Sequence, residues 1–429
     1  MSIIKSNRDI KKHEKYIKHK IRETDVRKLY DRLDMKELLF EDHKNKFESK
    51  EYNRVIGPNN ISHEKLFKDK YNLDAFANQF ELNNLRIDVE KMKQYYPKEW
   101  IDSLEVYNLN FLSYTILQFF ENECDRYIKL KSEDDKFKIN IAYSSKITSS
   151  EQLNKIIYHI YNILRWMIKL DNKKIDVLRL DIILCPFNKT FTYKHREDEY
   201  EKYPWLEWTR KMKDDSMRPF NINTGISWVG INHIVLFRLD ELFKVLFHEL
   251  IHSLKYDFDN VRDCNKKSCE RVFKSDLNLN VGNSYPILIN EAYTEYMAIL
   301  CWDYYLASYY MTQHRVINDK FKLFYHMIER EQINSAIMCT KLFNYYKIKN
   351  LDILKKDNKI EQKTNAFSYI LIKYFLLCNT VGIFENKSAK KLNELLIASL
   401  NNINEYNYLL KILLDEYYDL KLSLYHLKI

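Results

Sequence analysis

The chain has 429 residues, 46% of them hydrophobic and 30% charged, which is enough apolar material for a buried core and two or three structural units and excludes wholesale disorder. No stretch reaches the roughly 18 uninterrupted apolar residues of a bilayer-spanning helix, so no membrane role is expected. Five glycines exclude the phosphate loops GxGxxG and GxxxxGK, and a formal net charge of +9 is too small to mark the whole chain as a polyanion binder.

Residues 1–130 read as helical and charged, with amphipathic spacing over 101–120 and few breakers. The first 22 residues hold eight Lys/Arg against Asp9 and Glu14, a possible basic arm for nucleic acid; interspersed acids from residue 23 onward favour a solvated helical face instead. The first 25 residues have no apolar core, which predicts an intracellular, cytoplasmic protein without a secretory signal. Segments 137–143 and 175–187 are apolar and β-branched, and they flank an amphipathic helix over 151–170, a strand–helix–strand unit. Two short strands follow at about 222–229 and 232–238, separated by Gly230, and from there the chain reads as helical to its end. The expected fold is α+β and mainly helical: an N-terminal helical region (1–130), a small-sheet subdomain ending in the helix described next (131–260), and a C-terminal helical subdomain (261–429). Seven cysteines, odd in number, read as reduced core thiols; Cys264 and Cys269 lack the second pair of a zinc knuckle.

Segment 238–255 carries the chemistry. Leu242, Val245, Leu246, Leu250 and Leu254 recur at helical spacing, and Asp240 is the expected N-cap. On that helix His248 and His252 lie one turn apart on one face, so two imidazoles can bind one Zn²⁺, with Glu249 beside the open coordination position. A random chain of this composition shows HExxH about 2% of the time, so a third ligand must decide the matter. Segment 284–300 predicts a second helix, opened near Pro286, in which Glu291 and Glu295 share a face. Two carboxylates on so apolar a helix make sense if one binds a metal and the other fixes the tautomer of a ligand histidine.

His248-Glu249-Leu-Ile-His252 followed by Asn290-Glu291-Ala-Tyr-Thr-Glu295 resembles the gluzincin clan of zinc metallopeptidases, both thermolysin-like enzymes and clostridial neurotoxin light chains. The resemblance implies a zincin-like catalytic domain holding one catalytic Zn²⁺, with His248, His252 and Glu291 as ligands. It also implies Glu249 as catalytic base, Glu295 as the outer partner of a ligand histidine, and a peptide or protein as substrate. It covers about residues 220–305, and the texture of NINTG, LFR and KVLFHELIH also resembles uncharacterised metallopeptidases of large DNA viruses. This chain departs from the thermolysin pattern by placing 38 residues between His252 and Glu291, about twice the usual separation. The group that steadies the oxyanion stays open among Tyr285, Tyr293, His314, His326 and Tyr369. The strand before the helix is the expected edge for an extended substrate. The alternative is a catalytically silent zincin-like protein serving a structural role, such as a packaged virion component.

Overall fold

Alternating β-branched segments build one mixed sheet of six strands in the order β1-β2-β3-β4-β6-β5. Its strands are β1 (Leu85–Lys91), β2 (Arg126–Ser132), β3 (Phe137–Tyr143), β4 (Leu178–Ile183), β5 (Gly225–Trp228) and β6 (Ile231–Leu236). A computed structural model describes residues 85–91, 112–132, 135–169, 177–189, 197–210, 219–228, 231–257, 288–313, 320–346 and 364–378. All of them fall within the unit Pro58–Ser423.

The three central strands β3, β4 and β6 run parallel, whereas β1, β2 and β5 are antiparallel to their neighbours. Parallel neighbours need a crossover, and α2 (Ser150–Lys169) supplies it between β3 and β4, as the strand–helix–strand reading requires. Side chains alternate across the sheet. Ala142, Ile183 and Val235 join Ile116, Phe119 and Phe120 of α1 (Tyr114–Asn122) in one core cluster, which also holds Phe187, Tyr203 and Leu206. Tyr200 of α3 (Glu197–Lys202) joins the same cluster, and two short helices follow, α4 (Glu207–Arg210) and α5 (Pro219–Ile222).

Leu236, on the other face, meets α6 (Leu242–Ser253), the helix carrying HExxH. Trp166 of α2 lies edge-on to Phe247 of α6, with ring centroids 5.4 Å apart. On its far side α6 receives α7 (Ile289–Gln313), through Phe243 stacked on Trp302 at 5.4 Å. Nearly every described side chain of α7 is buried, because α8 (Lys320–Tyr345), a π-helical turn (Ser368–Ile372) and α9 (Lys373–Cys378) cover it.

The stretch 1–130, read as helical, contributes β1 and most of β2, so the sheet begins upstream of residue 131; residues 1–84 lie outside the described residues. Leu85, Ile87 and Val89 alternate with Arg86, Asp88 and Glu90, the period of a half-exposed strand, which the helical reading of 1–130 passed over. Cys124, Cys185, Cys301 and Cys339 are buried thiols that form no disulfide; Cys264 and Cys269 lie outside the described residues. No helix among the described residues is long and apolar enough to cross a membrane.

Between α7 and α8 sit two buried carboxyls, Asp303 and Glu331, each 4% exposed. Burial pushes both above the usual carboxylate range, Glu331 to about 7; Glu331 adds to the shift of Asp303, and Lys373 and Lys244 only partly offset the burial of Glu331. A carboxyl whose folded pKa is raised keeps its proton where the unfolded chain has released it. Its contribution is therefore fully present below the unfolded value near 4.5 and is lost as pH rises towards 7. Replacing Glu331 by Gln is expected to stabilise the chain by roughly 1–3 kcal/mol at pH 8 and hardly at all at pH 4.5, read from urea midpoints at the two pH values.

Candidate metal centre

Helix α6 begins abruptly. Glu241 holds a left-handed conformation (φ 56) and caps the helix without a side-chain bond. Asp240, the expected N-cap, instead accepts the amide of Lys189 through Oδ2 at 3.0 Å, tying the segment after β4 to the helix entrance. The other end is closed by Lys255, also left-handed, with the amide of Tyr256 bonded to the carbonyl of Ile251 at 2.8 Å. That closure reverses the chain and carries Asp257 back to His252, whose Nδ1 lies 2.7 Å from Oδ2 of Asp257.

His248 and His252 present their Nε2 atoms 3.2 Å apart. Oε2 of Glu291, in the first turn of α7, lies 3.6 Å from Nε2 of His248 and 3.4 Å from Nε2 of His252. Donors held at 2.0–2.1 Å around a tetrahedral ion stand about 3.3–3.4 Å from one another, so the triangle matches one face of such a site. Among the described residues these three side chains form the group able to hold a metal ion.

Both outer nitrogens are taken. Nδ1 of His248 lies 2.9 Å from Oε2 of Glu295, and with Asp257 on His252 each ring has a carboxylate that can accept an N–H only from Nδ1. The Nε2 lone pairs therefore both face Glu291. Glu295 is held in turn: Lys244 donates to its Oε1 at 2.5 Å and to Oε2 of Glu241 at 3.0 Å, and Lys189 donates to the same Glu241 oxygen at 2.6 Å. Burial works against ionisation of Glu241, yet Lys189 and Lys244 pull its pKa down to about 2.

The charge balance points the same way. Burial alone lowers an imidazole's pKa, but Glu291 and Glu295 outweigh it at His248, and Glu291 and Asp257 outweigh it at His252. Glu291, half-buried, is held well below the ordinary carboxylate range by the two rings, against its own desolvation. The cluster calls for positive charge in its midst, and a divalent cation meets that demand.

Glu249 sits beside the triangle, 6% exposed, with the Ser227 hydroxyl donating to its Oε2 at 2.6 Å. Burial raises its pKa against the pull of His248 and His252. Ser227 belongs to β5, and β5, not β6, is the sheet edge among the described residues. The strand leading into α6, expected as the edge, is internal because β5 folds back over it as a hairpin. The close approach of β5 to α6 depends on Gly225: a Cβ there would stand 2.7 Å from Leu236 Cδ2, 2.9 Å from Val245 Cγ1 and 3.0 Å from Glu249 Cγ.

Among the described residues eligible to steady an oxyanion, Tyr369 has its hydroxyl at the centre, donating to Oε2 of Glu291 at 3.1 Å. Its ring stands edge-on to His248 at 5.7 Å. It occupies the π-helical turn, an irregularity that places side chains off the ordinary helical faces. Ser368 anchors that turn by accepting the amide of Leu288 at 2.9 Å, just before α7. Burial and the neighbouring Glu291 keep the Tyr369 hydroxyl protonated. Tyr293 is buried on α7, while Tyr285, His314 and the side chain of His326 lie outside the described residues. Sequence reasoning missed Ser227, Gly225, Lys244 and Asp257; the acid just past the helix end was the one local signal available.

The centre opens onto a cleft lined by β5, α6, α7, α8, the π-helical turn and α9. Comparison with protein-family models, curated proteins and solved structures returned no match.

Two outcomes follow from this geometry. With Zn²⁺ offered as the test ion, any affinity of the triangle for it is expected to fall roughly 10- to 100-fold in Asp257→Asn and in Glu295→Gln by chelator competition, and unchanged affinity would show that these carboxylates orient nothing. Gly225→Ala is expected to cost about 1–3 kcal/mol in denaturant unfolding, because Val245 and Glu249 must give way.

Proposed function

We propose that the chain is a zinc-dependent metallopeptidase with a zincin-like domain and a gluzincin-type ligand set. The observation that carries this reading is the triangle of two Nε2 atoms and one carboxylate oxygen, spaced for one face of a tetrahedron, with a buried carboxylate next to it. His248, His252 and Glu291 would hold Zn²⁺. Three protein ligands of type N₂O leave a position for solvent, and zinc supplies a bound water acidified towards a pKa of about 7 and a polarised carbonyl.

The chain's own groups do the rest. Glu249 takes the proton of the attacking water and delivers it to the leaving amine. Burial, which raises its proton affinity, suits that exchange, and Ser227 holds one of its oxygens in place. Tyr369, protonated and next to Glu291, donates to the oxyanion that develops on the scissile carbonyl. The edge strand β5 offers unpaired backbone groups beside Glu249, to which an extended peptide can add as a further strand. Glu295 and Asp257 keep both imidazoles in the ligating tautomer.

Elemental analysis of the purified chain is expected to give one zinc per molecule. Glu249→Gln is expected to retain that zinc and to lose roughly 10²- to 10⁴-fold in peptide cleavage. Tyr369→Phe is expected to lower kcat roughly 10²- to 10³-fold with little change in KM. Wild-type cleavage by Glu249→Gln would remove the proposed base, and a zinc-loaded wild type inert towards a broad peptide library would favour the silent, structural alternative.

A further inference from the structure

Three lysines line the cleft beside the metal centre: Lys189, Lys244 and Lys373. Two are already neutralised, since Lys189 and Lys244 share Glu241 and Lys244 also binds Glu295. Lys373 is not. It is only 6% exposed, yet among the described residues its ammonium has no carboxylate within ion-pair distance and no hydrogen-bond acceptor. Glu331 and Glu295 feel its charge only at longer range. A buried ammonium that has surrendered most of its water without gaining a partner is unfavourable by itself, and a ligand anion removes the deficit.

Its place in the fold defines what that anion belongs to. Lys373 opens α9, directly after the π-helical turn, four residues beyond Tyr369, and both side chains line the same cleft. Tyr369 touches the zinc-binding carboxylate, so Lys373 stands about one helical turn along the cleft from the reacting centre. The cleft wall there includes Ile222, Val245, Met338 and Ile370, and apolar walls of low dielectric strengthen the pull of a single charge.

We propose that Lys373 sets substrate specificity by binding a carboxylate of the substrate, either an acidic side chain near the scissile bond or the free C-terminus. This inference rests on the peptidase reading for its substrate class, and on the unpaired lysine for its charge. A carboxylate fits better than a phosphate dianion. Phosphate is usually held by several donors or by a bidentate arginine, and the two neighbouring lysines are already engaged.

The test uses the full-length, zinc-loaded Glu249→Gln protein, so that binding is read without turnover. Fluorescent pentapeptides are matched in pairs: Glu against Gln scanned through each position, and C-terminal acid against amide. One carboxylate form is expected to bind roughly ten- to a hundredfold more tightly than its neutral twin, and the arm that shows the preference identifies the source. Lys373→Met is expected to erase the preference and Lys373→Arg to keep it; if the methionine variant does not fold, Lys373→Gln takes its place. Equal binding of charged and neutral twins overturns the proposal. So does a preference that survives removal of the ammonium, or tighter binding of a phosphoserine peptide than of its glutamate counterpart. The same peptides offered to the wild type probe the underlying reading separately. Absence of cleavage alongside an intact, Lys373-dependent preference would remove the peptidase and leave the anion site standing.

Discussion

The structure depends on the packing of α7 against α6, because that contact alone brings a carboxylate oxygen to 3.4 and 3.6 Å from two imidazole nitrogens on another helix. Phe243, Trp302, Phe247 and Tyr305 form the apolar seam that fixes the approach of the two helices. One turn of sliding along that seam, about 5.4 Å, would separate the donors beyond the reach of a single ion. Hydrocarbon packing therefore sets the geometry of the polar centre, and the centre in turn offsets the penalty of burying Glu291 and Glu295 among apolar neighbours.

Around this seam the interior is unusually rich in charge. Lys189, Glu241, Lys244 and Glu295 form a continuous row of alternating sign that ends on His248. Each member is buried or nearly so, and removal of any one would leave an uncompensated neighbour. Such a row adds little net stability compared with apolar residues of the same shape. Its physical effect is orientation, since the ammonium of Lys244 holds Glu295 where only Nδ1 of His248 can donate to it. Asp303 and Glu331 lie outside this row, and burial raises the pKa of both, at Glu331 against the pull of Lys373 and Lys244.

Much of the centre was legible in the chain because its elements are local. HExxH and the Glu291/Glu295 pair are one-turn relations, and helical spacing alone places each pair on one face. The β3–α2–β4 unit was equally plain, since strand and helix periods alternate within 50 residues. Other features were hidden for physical reasons. β1 alternates Leu85, Ile87 and Val89 with Arg86, Asp88 and Glu90, a strand period that the helical reading of 1–130 passed over, and only its pairing with β2 needed the fold. Asp240 looked like a cap, but the amide of Lys189 claims its side chain across 51 positions of sequence. Ser227 and Gly225 matter only because β5 folds over β6 and meets α6.

The residue types by themselves determined that this chain holds two imidazoles in ligating spacing on one helix with a carboxylate beside them, and a pair of carboxylates on a second. Those are properties of 3.6 residues per turn, and no fold is needed to establish them. Only the tertiary structure decided that the two helices meet and that Asp257 returns to His252. It also decided that Tyr369 stands at the centre, and that Lys373, buried on the same cleft, has no ion-pair partner among the described residues. The reason is distance along the chain. Glu291 lies 39 positions after His252, and Tyr369 a further 78, and no local period couples residues so far apart.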